Sequence, residues 1–526
     1  MTDAGPTFDD DADRLELAAG LAYFSADYAG ARTQLEAAFR AHRDGGRAAR
    51  AARVAMELAE MHVGLGNPSA ANGWLARARR LLDPLGDVVE WGYLELAIMA
   101  CDRPDLPELA SSAERALTIA RRFGDVDLEV RALADGGLAM VCQGRLREGF
   151  AMLDESLATL TAGECRRVET AGKSLCSLLS SCDRAGDVRR ADEWSRLVGG
   201  LLHRDGGPTV LAEHCRMVQS GIMTAAGRWD EAEHALTTLL AGMSTSGPHR
   251  VEAMSRLADL HLQRGQLEDA EALISPHRDA VTMRAPLARL HLLRDEPGDA
   301  VAVAELGLRE MVADRFRGAP LLDVMVQAEL LRGDVDAAER AADRLATLTE
   351  SSEASALHAD ADCARGRVAA ARGDTPAAVE AFTAAAHGFD SSARPLHAGI
   401  ARLELARVFA SAGDTASAAA EARGALAVFE RLGATPLVDR ALHLLRPLGG
   451  RARARSEIAA AVADLTAREA EVLDLIRQGL TNAEIGRRLY ISAKTAEHHV
   501  GRLLAKLGVR TRTEAAALAA TARARE

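Results

Sequence analysis

The chain has 526 residues, 48% hydrophobic and 3% aromatic, with 64 Lys and Arg against 76 Asp and Glu. A net charge of −12 excludes a chain that is basic throughout, and so few aromatics argue against single-strand recognition by base stacking. No uncharged apolar run is long enough to cross a bilayer and no signal peptide is evident, so a cytoplasmic location without membrane partners is expected.

Residues 1–13, carrying Asp9, Asp10, Asp11 and Asp13, read as a mobile acidic lead-in. From 14 to 445 one pattern recurs: a glycine or acidic turn residue, then a small residue five positions later inside a new helix. Gly66/Ala71, Gly144/Gly149, Gly227/Ala232, Asp295/Ala300 and Gly413/Ala418 are examples. The turns lie 38 to 42 residues apart, except for one step of 30 before Asp295 that marks a trimmed repeat and a change in superhelical path. Glycine supplies the positive φ that ends one helix, and the small residue lets the next cross closely. Each unit therefore reads helix, turn, helix, as in 251–264, Gly265 and 267–274. The segments GRWDEAEHAL (227–236) and GDVDAAERAA (333–342) resemble tetratricopeptide repeats, lengthened from the usual period of about 34 residues. That resemblance implies an α-solenoid whose neighbouring units bury each other's apolar faces. Its concave face would take an unknown peptide, protein or small-molecule ligand.

Pro447, Gly449 and Gly450 break the helical pattern, and Arg451, Arg453 and Arg455 follow, which places a linker at 446–463. The remaining residues, 464–526, read as a four-helix unit. Thr466/Glu469, Thr481/Glu484 and Thr511/Glu514 have the spacing of reciprocal capping boxes, and Ser492 can cap a helix running to about Leu507. The short connection Leu489-Tyr490-Ile491 forces a sharp helix–turn–helix. Residues 451–526 hold 14 Lys and Arg against 9 Asp and Glu, a basic tail on an acidic body.

The run LTAREAEVLDLI…GLTNAEIGRRLYIS…KT…HV…LLAKLGV…RTEA from Leu465 to Ala515 resembles the LuxR/GerE-type helix–turn–helix domain of bacterial transcription regulators. The resemblance implies a homodimer on double-stranded promoter DNA, with the third helix in the major groove, and RNA polymerase as a further partner. Ala496 stands where valine is commoner in that family, which loosens packing, and Ala483 where lysine is common, which removes a phosphate contact.

By that resemblance Glu497, His498 and Gly501 are the base readers. Glu497 can accept from cytosine N4, and the helix cost of Gly501 suits close approach to DNA. Lys494, Thr495, Arg502 and Lys506 are expected on phosphates, and the helix start at Thr481 and Asn482 offers free N–H groups to another. His499 is expected to pack or cap locally. The helix opening at Thr511, with Ala515, Ala516, Leu518, Ala519 and Ala522, is the implied dimer contact, setting half-sites about 10 base pairs apart.

MalT-like large regulators share this combination and carry an ATP-binding module. Here Gly172-Lys173-Ser174 is only half of the phosphate-loop motif, with Arg167 in the first glycine position and no strand ahead. No cofactor and no enzymatic activity are expected, and the repeat array alone would be the sensor. The seven cysteines lack ligand spacing and read as reduced thiols. His358, Asp360, Asp362 and Cys363 share one helix, and no metal is expected there. The fold class is thus all-α, a tetratricopeptide-like solenoid followed by a LuxR-type domain. The function is sequence-specific transcription regulation, the alternative being an interaction scaffold with a vestigial DNA-binding domain.

Overall fold

A computed structural model describes residues 11–25, 27–102, 106–187, 189–191, 193–194, 209–243, 249–310, 314–350, 352–448, 465–507, 509 and 511–516. Among these the regular structure is helical throughout, as the 3.6-residue periodicity predicts. Antiparallel pairs follow one another: Asp11–Phe24 with Tyr28–Asp44, Ala48–Gly64 with Pro68–Leu82, Glu90–Asp102 with Leu106–Phe123, and Val126–Cys142 with Leu146–Thr161. Val168–Ala185 opens the fifth pair. Next come Thr209–Ala225 with Trp229–Gly242, Arg250–Arg264 with Leu267–Ile274, and Arg284–Leu293 with Pro297–Glu310. Arg315–Leu331 with Val335–Thr349, Ser355–Arg372 with Thr375–Ser391, and Pro395–Ser411 with Thr415–Leu432 complete the pairs, and Thr435–Leu445 closes the array.

The recurring turn residue does the work its chemistry predicts. Gly66, Gly144, Gly186, Gly227, Gly265, Gly333, Gly373 and Gly413 all have φ between 68° and 85°. Asp295 reaches 61° without being glycine, a conformation that short polar side chains tolerate. Just after three of these glycines, Asp334, Asp374 and Asp414 cap the next helix by accepting from the backbone N–H three residues on. The small residue five positions after the turn is the crossing point: Ala71, Ala232, Ala270, Ala300, Ala338, Ala378 and Ala418 are fully buried. At Gly149 a Cβ would lie 2.7 Å from the Gly137 carbonyl oxygen of the partner helix, so no side chain fits.

The apolar core is divided rather than continuous. Leu58, Ala71 and Leu94 belong to one cluster, Leu153 and Leu178 to another, and Phe382 and Ala401 to a third, each linking adjacent pairs. The superhelix also closes on itself. Arg147 Nε donates to Glu353 Oε1 at 2.6 Å, and the Glu353 N–H donates to the Gly144 carbonyl at 2.9 Å, across some two hundred residues of chain. A Cβ on Gly227 would meet Leu432 at 2.6 Å, and one on Gly265 would meet Pro436 at 2.5 Å. Inside the curve, long-range ion pairs hold the turns: Arg184 with Asp314 (2.7 Å), Arg256 with Asp183 (2.6 Å) and Arg167 with Glu57 (3.1 Å). Burial alone would raise the Glu60 carboxyl, but Lys173 and Arg131 overcome it and hold it at about 2.

Two expectations are corrected. Residues 11–13, assigned to the lead-in, form the first turn of a helix, where Asp11 and Asp13 favour the positive end of the helix dipole. Residues 446–448 are the closing turn of the last array helix rather than linker. The rest of the lead-in and of the linker lies outside the described residues. The step of 30 before Asp295 has a concrete cause: an eight-residue helix, Leu267–Ile274, is followed by the ten-residue helix Arg284–Leu293.

Candidate nucleic-acid interface

Residues 465–516 build a separate small core. Val472, Leu473, Ile476, Ile485, Ala496, Val500 and Leu503 are buried together, with Leu480, Leu489, Ile491, Leu504 and Leu507 packed around them. The three capping boxes all form. Thr466 and Glu469 reciprocate at the start of Ala467–Arg477, and Thr481 and Glu484 at the start of Asn482–Arg488. Before residues 512–516, the Thr511 N–H donates to Glu514 at 3.3 Å and the Glu514 N–H donates to Thr511 at 3.2 Å. Ser492 accepts from the Thr495 N–H at 3.1 Å and so opens the helix Ala493–Leu507.

Between the second and third helices the chain turns through Tyr490, whose φ of 56° is left-handed for a non-glycine residue. The turn is tight enough that a Cβ on Gly486 would lie 2.8 Å from the Ile491 carbonyl oxygen. That contact is with backbone and cannot yield. Two arginines brace the unit from inside: Arg468 donates to the Leu489 carbonyl (2.7 Å) and Arg512 to the Leu480 carbonyl. They satisfy carbonyls in the two connections between helices and contribute less to the outward face than their charge implies.

The third helix buries Ala496, Val500 and Leu503 and turns Lys494, Thr495, Glu497, His498, Gly501 and Arg502 outward, all exposed. Fifteen residues make a rod about 22 Å long, on the scale of a groove crossing. No atom lies within 4 Å of a Cβ built on Gly501, so this position is open to an external partner. His499 is half-buried beside the core. Thr481 is exposed at its cap, and the Asn482 side-chain oxygen is buried without a hydrogen-bond partner. The Thr495 hydroxyl lies 2.7 Å from that of Ser492. Lys506 is engaged: its Nζ donates to Glu469 Oε2 at 3.1 Å. The Thr466 backbone N–H and then Lys506 hold the Glu469 carboxyl at about 2.

Sequence reasoning passed over Tyr490, which is 97% exposed at the turn, and the exposed pair Arg487 and Arg488 before it. A solvent-facing aromatic inside an otherwise apolar connection was the available signal. Of the proposed dimer residues, Ala515 is buried and Ala516 half-buried in this same core, while Leu518, Ala519 and Ala522 lie outside the described residues.

Among the described residues no helix is long and apolar enough to cross a membrane. His358 Nε2 meets the Ser352 carbonyl at 2.9 Å, and Asp362 pairs with Arg365, so both are taken up by local partners.

Comparison with known proteins agrees with this geometry. Residues 463–519 match the family of bacterial regulatory proteins described as the luxR family, and residues 223–291 match the tetratricopeptide repeat. Over 55 residues the chain is 51% identical to the transcriptional regulatory protein LiaR of Bacillus subtilis, covering 10% of this chain and 26% of that protein. Over 55 residues it is 47% identical to the DNA-binding transcriptional activator DevR/DosR of Mycobacterium tuberculosis, covering 10% and 25%. The nitrate/nitrite response regulator NarL of Escherichia coli is 47% identical over 55 residues, covering 10% and 26%. The chain thus spans about a quarter of the length of these curated relatives. Among solved structures, the APC/C hetero-tetramer Cut9-Hcn1 aligns with a TM-score of 0.36 and 11% identity, covering 83% of this chain and 94% of that one. The chain therefore carries tetratricopeptide repeats and ends in a LuxR-type helix–turn–helix DNA-binding domain.

Proposed function

We propose that the chain is a sequence-specific transcription regulator whose repeat array, about residues 14–445, receives a ligand or partner. The terminal domain, about residues 464–526, then docks on promoter DNA as a homodimer in the cytoplasm. One observation carries this reading: the Ser492-capped helix has one face buried in its own core and the opposite face, Lys494 to Arg502, polar and exposed. On that face Glu497, His498 and Gly501 approach base edges, and Lys494, Thr495 and Arg502 meet phosphates. At the start of the second helix the Thr481 N–H is taken by Glu484, which leaves the Asn482 N–H for a further phosphate, and Lys506 joins once released from Glu469. The helix opening at Thr511 supplies the dimer contact.

Genomic fragments selected by the full-length protein and measured by gel shift at fixed salt provide the test. Glu497→Ala is expected to change relative affinities among operator variants by about 1–3 kcal/mol at the base it reads. If neither the wild type nor the variant distinguishes any duplex from bulk DNA, the regulator reading fails and the repeat scaffold remains.

A further inference from the structure

We propose that the first repeat and the helices facing it across the superhelix form a binding site for an uncharged, largely apolar small molecule. A cavity of about 650 Å³ lies there, within the size range of small-molecule sites. Its wall joins parts of the chain that are far apart in sequence. Leu17, Leu21 and Tyr28 come from the first pair, Met61 from the second, Cys176 from the helix Val168–Ala185, and His249 from the start of the helix Arg250–Arg264.

Three features select the ligand. Leu17 and Leu21 stand 43% and 61% exposed on consecutive turns of the first helix, an apolar surface that the described residues leave uncovered. The Tyr28 side chain, only 4% exposed, has a hydroxyl with no hydrogen-bond partner, so the wall keeps an unsatisfied polar group. The inner charges of the cavity are matched to one another, while Asp13 and the exposed Arg166 at its wall make no ion pair among the described residues. Arg131 holds Asp135 at 2.6 Å and Glu60 at 3.4 Å, Lys173 pairs with Glu60, and Arg167 holds Glu57 at 3.1 Å. A charged ligand would have to break one of these pairs in a half-dry setting, whereas a neutral one leaves them intact. An alcohol-like amphiphile, with an apolar body against Leu17 and Leu21 and one hydrogen-bonding group, fits these constraints.

The location gives binding a structural consequence. A ligand in the cavity would touch the helix Asp11–Phe24 on one side and Lys173 and Cys176 of the helix Val168–Ala185 on the other, so it ties the first repeat to the fifth. Occupancy would favour the closed form of the array over any opened form. The regulatory meaning rests on the array being the signal receiver, but the test uses no DNA. Failure here leaves the operator reading standing, and a failed gel shift leaves the cavity standing.

The test is titration of the full chain with the neutral solvatochromic dye Nile red, followed by displacement with decanol, decanoate and decyltrimethylammonium below their aggregation limits. Saturable binding of one dye per chain with blue-shifted emission is expected. Decanol should displace the dye, and the two charged analogues at least about tenfold less effectively. Leu21→Arg should weaken dye binding about tenfold without changing helicity, because the side chain is mostly exposed. Leu17→Arg probes the same wall should the first substitution disturb the helix, and Leu331→Arg, exposed elsewhere on the array, should have no effect. No saturable binding, indifference to both wall variants, or equal displacement by the charged analogues overturns the proposal.

Discussion

In the repeat array, helices turn at glycines of positive φ and cross at buried alanines. In the terminal unit one turn keeps a glycine of positive φ, Gly479, and the next passes through Tyr490, while threonine–glutamate capping boxes open the helices and leucine, isoleucine and valine fill most of the core. The two regions also use charge in opposite ways. Arg131, Arg184 and Arg256 point into the superhelix and bind the carboxylates of Glu60, Asp314 and Asp183 from other repeats, so charge there joins one part of the protein to another. On the terminal helix, Lys494 and Arg502 face solvent, available to something outside. An arginine's neighbours rather than its identity thus decide whether it braces the fold, as Arg184 and Arg512 do, or faces solvent, as Arg502 does.

The sharpest way to break this contrast is to remove a charge from the inside of the array. Glu60→Gln leaves Lys173 without its carboxylate and Arg131 with Asp135 alone, so a loss of about 3 kcal/mol is expected in chemical denaturation. DNA affinity measured where the chain remains folded should not change. In the terminal unit the equivalent weak point is steric. Gly486→Ala places a methyl 2.8 Å from the Ile491 carbonyl oxygen, a backbone clash worth about 2 kcal/mol that should abolish gel shift while sparing the array's thermal transition. Gly413→Ala makes the control: its φ is 85° but nothing lies within 4 Å, so only the backbone cost of about 1 kcal/mol remains.

Acidity separates the regions next. His214 is held neutral by burial, then by His249, whose ring centroid lies 5.0 Å away, and by Arg256; Glu252 opposes them and Ser180 lies at 3.4 Å. Its imidazole is pushed down to about 4, so the unfolded chain takes up this proton first as pH falls. The stabilisation is complete above the unfolded value near 6.5 and is lost as pH falls toward about 4, with a slope approaching 1.4 kcal/mol per pH unit. Urea midpoints at pH 7.5 and 5 should show that decline, and His214→Gln should reduce it by one proton's share, leaving the part carried by His249 and His397, which burial also holds low. Retention of the full slope in the variant would place the titrating group elsewhere.

How much of this was legible in the sequence follows the same division. The array's turns could be read because glycine at a 40-residue spacing has one steric meaning, and even Asp295 kept the φ that its position demands. The closure of the superhelix was not legible, because Arg147 and Glu353 carry no local signal that they meet. In the terminal unit the caps, the turn and the buried face were all readable from local chemistry. The fate of its basic residues was not: Arg468 and Arg512 look like DNA contacts in a charge count, yet they brace carbonyls of the interhelical connections. Gly486 sat in plain view within a helical pattern, but only the folded turn shows why a side chain is excluded there.

Lys506 and Arg502 offer the finest test, since they lie on one helix and composition treats them alike. Arg502 is exposed and makes no ion pair among the described residues, so it can neutralise a phosphate at no internal cost. Arg502→Ala should weaken all duplexes alike and lower the slope of log affinity against log salt by about 1, the signature of one lost counterion-releasing contact. Lys506 begins with a partner, Glu469, and must leave it to reach DNA, so whatever it gains from phosphate is offset by the capping carboxylate it abandons. Lys506→Ala should therefore change the salt slope by clearly less than Arg502→Ala, while raising the Glu469 carboxyl toward its ordinary range, which carboxylate-resolved NMR titration would register. Equal slope changes for the two variants would mean that DNA breaks the Lys506–Glu469 pair outright, and the inward role given to Lys506 in the free protein would then not survive binding.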